Sequence, residues 1–489
     1  MRHIAYQLLV AIKGARARIC PSLLVTLLLA SSSPSSAATR PHYGGTLRVM
    51  MQSAPDSLDI PANPTPTESW DGSRTLSLIG DTLVTLDPRG RPHASLALAW
   101  QSDPSARHWQ FILRRSVKFH DGSAASATAI AQILGALHPV WTVRASGDSL
   151  SIDNDTPMPS LLAELALPRN LLLKRNAVGN GSHFPVGTGP FLVAEWTPGK
   201  LLKLAANEES WAGRPFVDSV VIEFGKSLRD QAIALELDKT DLIELAPQAG
   251  GGAQANTSSS LSSSLPVELL ALVFPVNSRA QDSHLREALA LAIDRKPIQA
   301  VLLKGAGEPS ASILPNWMTG YSVVFPTQVN PQRARALLSD SHPPALNLSY
   351  DPRDPQARLI AERIALNAHE VGIAVAVSLS GQEDIRLLRV PLSSPDPATS
   401  LAEAVLQMGW QPAAGHSSPQ SDSLADLYQA ERNLLDGFAV IPLFHLPVAS
   451  AASARVRDWQ PGPLGHWNEP GSSLADVWLA DSRPETGRP

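Results

Sequence analysis

The sequence has a single cysteine, Cys20, in 489 residues. One thiol excludes an intramolecular disulfide, a zinc site built on cysteines and Cys-x-x-Cys redox chemistry. Charged residues make up only 17% of the chain, and 45 acidic against 40 basic side chains leave a net charge of −5. This weak negative balance gives no electrostatic reason to expect nucleic acid as a partner. Aromatic residues are few, but 11 are tryptophan, so tryptophan is the aromatic side chain to consider for ligand stacking.

Apolar residues, by contrast, are plentiful. They form 44% of the chain, which is enough to build a large core, and a length of 489 residues indicates more than one domain. Segments with strand and helix patterns alternate, so we predict an α/β or α+β protein. A helical spacing of leucine and isoleucine predicts a helix over residues 75–86, and VELLALVFPV (residues 267–276) predicts a buried strand. The serine- and glycine-rich residues 248–265 predict a surface loop.

The N-terminus has the three parts of a secretory signal peptide. Four basic and no acidic residues occur in the first 18 positions, an apolar run covers residues 19–30, and small residues follow up to Ala38. A membrane anchor is the alternative, but the apolar runs are shorter than the roughly 20 residues that span a bilayer. We therefore predict a signal peptide over residues 1–38, cleaved near Ala38, and an exported protein. The mature chain has no cysteine, which suits an oxidising compartment.

Catalytic motifs are weak throughout the sequence. GDSL (residues 147–150) matches the nucleophile block of one esterase class, but no Asp-x-x-His follows near the C-terminus, so a turn is the simpler interpretation. GTGPF (residues 187–191) lacks the third glycine of a dinucleotide-binding loop. The 13 histidines show no pair at metal-ligand spacing on a helix. We therefore predict no catalytic residue, no metal site and no cofactor, and a binding protein rather than an enzyme.

Several blocks of sequence together resemble one protein family. They are GGTLRVMMQSAPDSLDI (44–60), DTLV with GRP (81–84, 90–92), WQFILR with VKFHDG (109–114, 117–122), GTGPF (187–191), LREA with AIDR (285–288, 292–295) and IPL (441–443). In this order they resemble the bacterial extracellular solute-binding proteins of family 5, the peptide- and nickel-binding receptors of ABC importers. Trp100, Trp109 and Phe119 in these blocks are expected to belong to the core, and His120-Asp121-Gly122 to form a turn before a helix.

The resemblance implies a two-lobed fold of the class II, large cluster C type, with a hinge and a discontinuous first lobe. Lobe one would cover residues 40–272 and the C-terminal return 447–489, and lobe two would cover residues 273–446. Residues 267–276 and 441–448 would be the strands that cross between the lobes. The implied function is that of a periplasmic monomer that encloses a small solute, most simply a short peptide, and delivers it to the permease subunits of an ABC transporter in the inner membrane.

The resemblance also indicates where the ligand would bind. In peptide-binding members a segment like Asp-Tyr-Pro-Asp-Pro supplies an aspartate for the peptide ammonium, and its counterpart here is SSPDP (residues 393–397). Ser393 and Ser394 replace the acid and the tyrosine, so the usual ammonium contact is missing, and Asp396 either serves instead or shapes the turn. Arg386 or Arg389 could hold a ligand carboxylate. Trp70 and Trp317 are candidate stacking walls.

Two hypotheses of different classes follow. The first is a periplasmic receptor for a peptide, with a nickel chelate, a sugar or another cationic solute as alternative ligands. The second is an exported hydrolase whose site the sequence does not reveal. The ligand-binding residues expected under the first hypothesis are Trp70, Trp317, Arg389, Ser393, Ser394 and Asp396.

Overall fold

The computed structural model describes residues 41–55, 57–58, 70–174, 184–247, 259–323, 325–339, 342–410, 423–469 and 471–480. The predicted signal peptide lies outside the described residues. In the described part, no helix is both long and apolar enough to cross a membrane.

The strands are numbered in chain order. They are β1 Thr46–Met50, β2 Val84–Leu86, β3 Pro92–Ala94, β4 Ala97–Ser102, β5 His108–Leu113, β6 Thr142–Ser146, β7 Ser149–Asp153, β8 Phe191–Thr197, β9 Leu201–Ala206, β10 Ser219–Glu223, β11 Leu242–Leu245, β12 Ser259–Val273, β13 Glu308–Pro309, β14 Leu346–Tyr350, β15 Val375–Val377, β16 Ile385–Pro391, β17 Val440–Ser453, β18 Val456–Arg457, β19 Asn468–Glu469, β20 Ser472–Ser473 and β21 Trp478–Leu479.

The helices are numbered in the same way. They are α1 Trp70–Leu76, α2 Ala127–Leu137, α3 Leu161–Leu165, α4 Leu228–Glu236, α5 Ser283–Ala292, α6 Arg295–Pro297, α7 Asn316–Thr319, α8 Pro331–Leu337, α9 Ala357–Glu370, α10 Pro397–Gln407 and α11 Leu424–Leu435. The structure also has a short 3-10 helix at Pro168–Asn170 and a short π-helix at Ile298–Leu302.

One large mixed sheet runs through the molecule in the order β15-β14-β16-β12-β17-β11-β1-β10-β9-β8, with β13 beside β17. A separate four-stranded sheet has the order β4-β5-β7-β6. Three groups of buried apolar side chains pack around these sheets. The first uses residues from Leu269 to Leu446, the second combines residues 47–242 with residues 452–479 of the C-terminal segment, and the third uses residues 83–172.

The two long strands β12 and β17 pair antiparallel along most of their length. This confirms the strand predicted over residues 267–276 as far as Val273, where β12 ends, although the strand begins earlier. Residues 259–265, predicted as loop, pair with the small residues at the end of β17, and residues 248–258 lie outside the described part. The Ser262 and Ser450 hydroxyls lie 3.0 Å apart, and the Val448 N–H donates to Ser264 Oγ at 2.9 Å. The loop prediction was wrong here because serine side chains on both strands leave the ladder unobstructed.

The helix predicted over residues 75–86 is also wrong beyond Leu76, where α1 ends. Leu76 and Ile79 pack in the second core, whereas Leu83 and Val84 pack in the third. Since one continuous helix cannot direct this short stretch into two cores, the chain turns after α1 and re-enters as strand β2.

The register brings carboxyl ends of strands from two parts of the large sheet toward one another. Strand β11 is antiparallel to β17, with Leu245 opposite Ala449, and β16 is antiparallel to β12, with Pro391 opposite Glu268. Because β12 and β17 run in opposite directions, β11 and β16 also run in opposite directions and their ends face each other. Glu268 pairs with Leu446, so about three residues of β17, roughly 10 Å, separate the two ends.

Candidate functional site

A cavity lies in this gap between the facing strand ends. Its volume is about 470 Å³, within the range of roughly 300–1,000 Å³ of small-molecule sites. The segments that follow β1, β11 and β14 all reach it, as does the last part of β16. Ligands of open α/β sheets bind outside the carboxyl ends of the strands, and this cavity has that position. Its lining includes Gln52, Ser53, Arg74, Glu244, Glu268, Asp351, Arg353, Asp354, Gln356, Arg389, Pro391 and Pro447.

Arg389 is the centre of the charge arrangement in the larger cavity. Its Nε lies 2.6 Å from Asp354 Oδ2, and its Nη1 lies 3.3 Å from Glu268 Oε2. Burial alone would lower the pKa of Arg389, but the attraction of Glu268 and Asp354 raises it above its ordinary value. Arg389 is therefore a fixed cation that organises two carboxylates.

Two further ion pairs line the same cavity. Arg74 Nη1 lies 2.9 Å from Glu244 Oε1, and the Arg74 guanidinium stacks 4.5 Å from the centre of the Trp467 ring. Arg353 Nη2 lies 2.8 Å from Asp351 Oδ2. The cavity therefore presents charges of both signs, which suits a zwitterionic or charged solute better than a neutral one.

A smaller cavity, of about 100 Å³, lies just beyond the end of β16. Ser393 and Ser394 line it together with the carboxylates of Asp81, Asp87 and Glu469, and the described lining contains no lysine or arginine. The Glu469 carboxylate accepts backbone hydrogen bonds from His466 at 2.7 Å and from Leu464 at 3.2 Å. Only Leu392 separates the parts of the chain that line the two cavities, so both lie along the same strand end.

Glu469 should make the stability of the protein depend on pH. Burial raises its pKa from 4.5 to about 7, although the two backbone hydrogen bonds oppose the shift. The proton is held more tightly in the folded state, so stability is complete below pH 4.5 and is lost as the pH rises through 7. Relative to Glu469→Gln, we expect the wild type to lose up to about 3 kcal/mol of unfolding free energy between pH 4.5 and 8, because 2.5 pKa units correspond to that amount. The partial exposure of Glu469 to solvent screens its charge and lowers this figure. Urea unfolding across this range measures the effect, and parallel curves for the two proteins would contradict it.

The structure brings some of the sequence-predicted residues together and not others. Arg389 lines the larger cavity, and Ser393 and Ser394 line the smaller one. Asp396 caps helix α10, where its carboxylate accepts hydrogen bonds from the backbone N–H and the hydroxyl of Thr399 at 2.9 and 2.6 Å.

The remaining predicted residues lie away from both cavities or outside the description. Trp317 lines neither cavity, and its Nε1–H donates to the Pro266 carbonyl at 2.9 Å. Arg386 also lines neither, and its Nη2 donates to the Met408 carbonyl at 3.4 Å. The side chain of Trp70 lies outside the described residues. The ligand-binding roles of these residues stay predictions.

Several blocks of the family resemblance have structural roles. Trp109 and Phe119 are buried in the third core, with Trp100 packed against it. Gly187 and Gly189 lie against the backbone of Ile79, where Gly189 N–H donates to the Ile79 carbonyl at 2.9 Å. In the GDSL tetrapeptide, Gly147 (φ +58°) and Asp148 form the turn between β6 and β7, and Ser149 and Leu150 begin β7.

Sequence reasoning missed the acids that surround Arg389. Glu268 is the one charged residue in the apolar run of β12, and a carboxylate within a buried strand requires a partner. This acidic residue within an apolar run was the signal in the sequence that could have indicated a buried ion pair. Among the described residues, no group of three or more His, Cys, Asp or Glu side chains is arranged to hold a metal ion.

Three contacts near the two cavities, which we together call the cleft, join segments that are distant in the sequence. Arg169 Nη1 lies 2.5 Å from Glu403 Oε1, which joins the 3-10 turn of the third core to helix α10. The Gln52 amide donates to the Arg353 carbonyl. The turn at Gly90 approaches Pro395 so closely that a Cβ on the glycine would lie 3.4 Å from the proline carbonyl. These residues come from parts of the chain that belong to different cores.

Known proteins are similar to this chain over most of its length. The family model described as bacterial extracellular solute-binding proteins, family 5 (middle), matches residues 91–388. The nickel-binding protein NikA of Staphylococcus aureus is 22% identical over 61% of this chain, and the match spans 64% of that relative, slightly less than two thirds. Probable di/tripeptide-binding protein 5 of Pseudomonas aeruginosa is 21% identical over 87% of this chain and 95% of that protein.

The fold has close counterparts among solved structures. The oligopeptide-binding protein AppA of Bacillus subtilis, solved with a nonapeptide, superposes with a TM-score of 0.77 at 16% identity, and the match covers 90% of this chain and 100% of AppA. The predicted two-lobed α/β fold of periplasmic binding proteins is therefore confirmed.

Proposed function

The chain belongs to the bacterial extracellular solute-binding proteins of family 5, and we propose that it captures a small solute in the larger cavity and delivers it to an ABC importer. The observation that carries this proposal is the 470 Å³ cavity between the facing strand ends, with three arginines and four carboxylates in its lining. A cavity of this size and position suits an enclosed ligand.

Short peptides are the ligand class that the cavity supports best. A peptide carries an ammonium and a carboxylate, and the lining offers Glu268 and Asp354 for the first and guanidinium groups for the second. A sugar carries no charge with which these groups could pair. The di/tripeptide-binding relative and the nonapeptide complex of AppA support the same class, whereas the nickel-binding relative makes a nickel chelate the second candidate.

Capture would use closure of the two lobes about the β12–β17 pair. The ladder between these strands has register shifts on both sides of Pro266, which faces Pro447. Proline has no N–H to donate, so the ladder is weakest at this point and bending there breaks few hydrogen bonds. We propose lobe boundaries at residues 272/273 and 446/447; the second lies at this weak point, and the first lies about six residues farther along β12. The Arg169–Glu403 ion pair would form on closure and break on release.

Location and partners follow from the same proposal. The chain would be exported by its signal peptide, cleaved near Ala38, and would act as a periplasmic monomer without catalytic activity. Its partners would be the permease subunits of the importer, which would recognise the closed form.

Ligand-dependent stabilisation tests the proposed function. At 100 times its dissociation constant, a bound di- or tripeptide should add about 2.7 kcal/mol of stability, which corresponds to roughly a 3 °C rise in Tm for a chain of this length. A thermal-shift screen of di- to pentapeptides, nickel–histidine and sugars measures this. A shift with another solute and none with any peptide would overturn the peptide assignment. Hydrolysis of peptides in the same screen would favour the hydrolase hypothesis instead.

A further inference from the structure

Glu268 is a carboxylate in an apolar setting that also borders the larger cavity. The residues that follow it in β12, from Leu269 to Val273, are all buried in the first core. Glu268 itself lies opposite Pro391 on β16 and Leu446 on β17, and its side chain lines the cavity. A carboxylate removed from water in this way is costly unless a cation and hydrogen bonds compensate it.

The compensation that Glu268 receives from the described residues is incomplete. It accepts a hydrogen bond from Arg389 Nη1 at 3.3 Å, longer than an ordinary charge-assisted hydrogen bond of roughly 2.7–2.9 Å. Arg389 makes its shorter contact, 2.6 Å, with Asp354. Burial accordingly raises the pKa of Glu268, despite the opposing attraction of Arg389.

The balance of charges in the lining of the larger cavity also indicates Glu268. Among the described residues, four carboxylates and three guanidinium groups line the larger cavity, which leaves one negative charge in surplus. Each of the other carboxylates has a closer arginine: Glu244 at 2.9 Å, Asp351 at 2.8 Å and Asp354 at 2.6 Å. The surplus charge is therefore that of Glu268.

We propose that Glu268 binds the cationic group of the captured solute, and that the solute is an amine such as the free N-terminus of a peptide. This inference rests on the proposed function and adds the chemistry of recognition to it. An ammonium beside Glu268 would neutralise the cavity and complete the hydrogen bonding of the carboxylate. It would also explain how a pocket with Ser393 and Ser394 at the end of β16 can hold an amine, since the countercharge comes from β12.

Glu268→Gln tests the proposal because it removes the charge and keeps the shape. The probes are a panel of di- and tripeptides, together with the N-acetylated form of each peptide that binds. Affinity for the free-amine peptides should fall roughly 10- to 100-fold in Glu268→Gln, as expected for the loss of a hydrogen bond between charged groups. We expect the N-acetylated peptides to bind the wild type weakly, and their affinity should change by less than about threefold in Glu268→Gln, because they bring no ammonium to residue 268. Isothermal titration calorimetry measures both.

Glu236→Gln is the matched control, because Glu236 is an exposed glutamate on α4, away from both cavities. It should bind every probe as the wild type does. Circular dichroism and unfolding curves confirm that Glu268→Gln is folded, which we expect because the substitution removes a poorly compensated buried charge.

The possible outcomes separate this proposal from the proposed function. Equal peptide binding by the wild type and Glu268→Gln overturns the role of Glu268 and leaves the receptor function intact. Loss of binding in Glu469→Gln instead would also overturn it and assign the amine to the smaller cavity. If a non-peptide amine such as spermidine binds and Glu268→Gln loses it, the role of Glu268 is supported and the peptide assignment fails. Binding of neutral solutes only overturns the role of Glu268 and the peptide assignment but leaves solute capture intact, whereas binding of no probe at all overturns both proposals.

Discussion

Gly187→Ala should destabilise the protein by more than about 3 kcal/mol. A Cβ at this position would lie 2.0 Å from the carbonyl oxygen of Ile79 and 2.8 Å from Leu173 Cδ2. The Ile79 carbonyl cannot move freely, since it accepts the hydrogen bond from Gly189 N–H. Insertion of a methyl group into a packed core usually costs roughly 1–3 kcal/mol, and a clash with backbone raises that cost. Urea unfolding of the two proteins measures the difference.

Gly135→Ala is the control for this prediction. Gly135 lies within helix α2, and a Cβ there would meet no atom within 4 Å. Alanine is favoured over glycine in a helix, so this variant should be more stable than the wild type by roughly 0.5–1 kcal/mol. If Gly187→Ala and Gly135→Ala had similar effects, the close approach of residue 187 to Ile79 would not determine the glycine at that position.

The fold was largely predictable because its signals are local. The apolar run of residues 267–273 is a strand in the structure, and Trp109 and Phe119 are in the core as expected. The errors lie in segments whose sequence pattern is compatible with more than one secondary structure. Leucines at helical spacing in residues 75–86 divide between two cores, and the serine tract at residues 259–265 finds a partner strand nearly 190 residues away in the sequence.

The site was less predictable because it is assembled from distant segments. The sequence indicated Arg389, but its partners Glu268 and Asp354 lie 121 and 35 residues away. Only the pairing of β12 with β16 and the loop after β14 bring them together. The sequence also showed that Ser393 stands where peptide-binding relatives have an acid. It did not show that four carboxylates of the described residues line the adjoining cavity. Composition cannot show such local groups of charged side chains, since the net charge of −5 is a sum over the whole chain.

Arg389→Met should be among the most destabilising single changes in the cleft. Methionine keeps much of the length of the side chain and removes the guanidinium that lies between Asp354 and Glu268. Two carboxylates would then remain buried side by side without a cation, and breaking a buried ion pair in this way costs about 3–5 kcal/mol. The loss should be largest at neutral pH. It should shrink toward pH 5, because burial raises the pKa of Glu268, and this carboxylate becomes neutral as the pH falls. Urea unfolding at pH 5 and pH 7 measures both effects.

Two further variants separate the charge effect from lost packing. The double variant Arg389→Met/Glu268→Gln leaves one unpaired carboxylate instead of two, so it should be more stable than Arg389→Met alone. The coupling free energy between the two substitutions should be roughly 0.5–3 kcal/mol. Arg358→Met breaks an exposed pair with Glu362 on helix α9 and should cost at most about 1 kcal/mol. If Arg389→Met were as mild as Arg358→Met and independent of pH, Arg389 would not be the cation that holds the acids of the cleft together. Its side chain would then be available to a ligand carboxylate, as the sequence suggested.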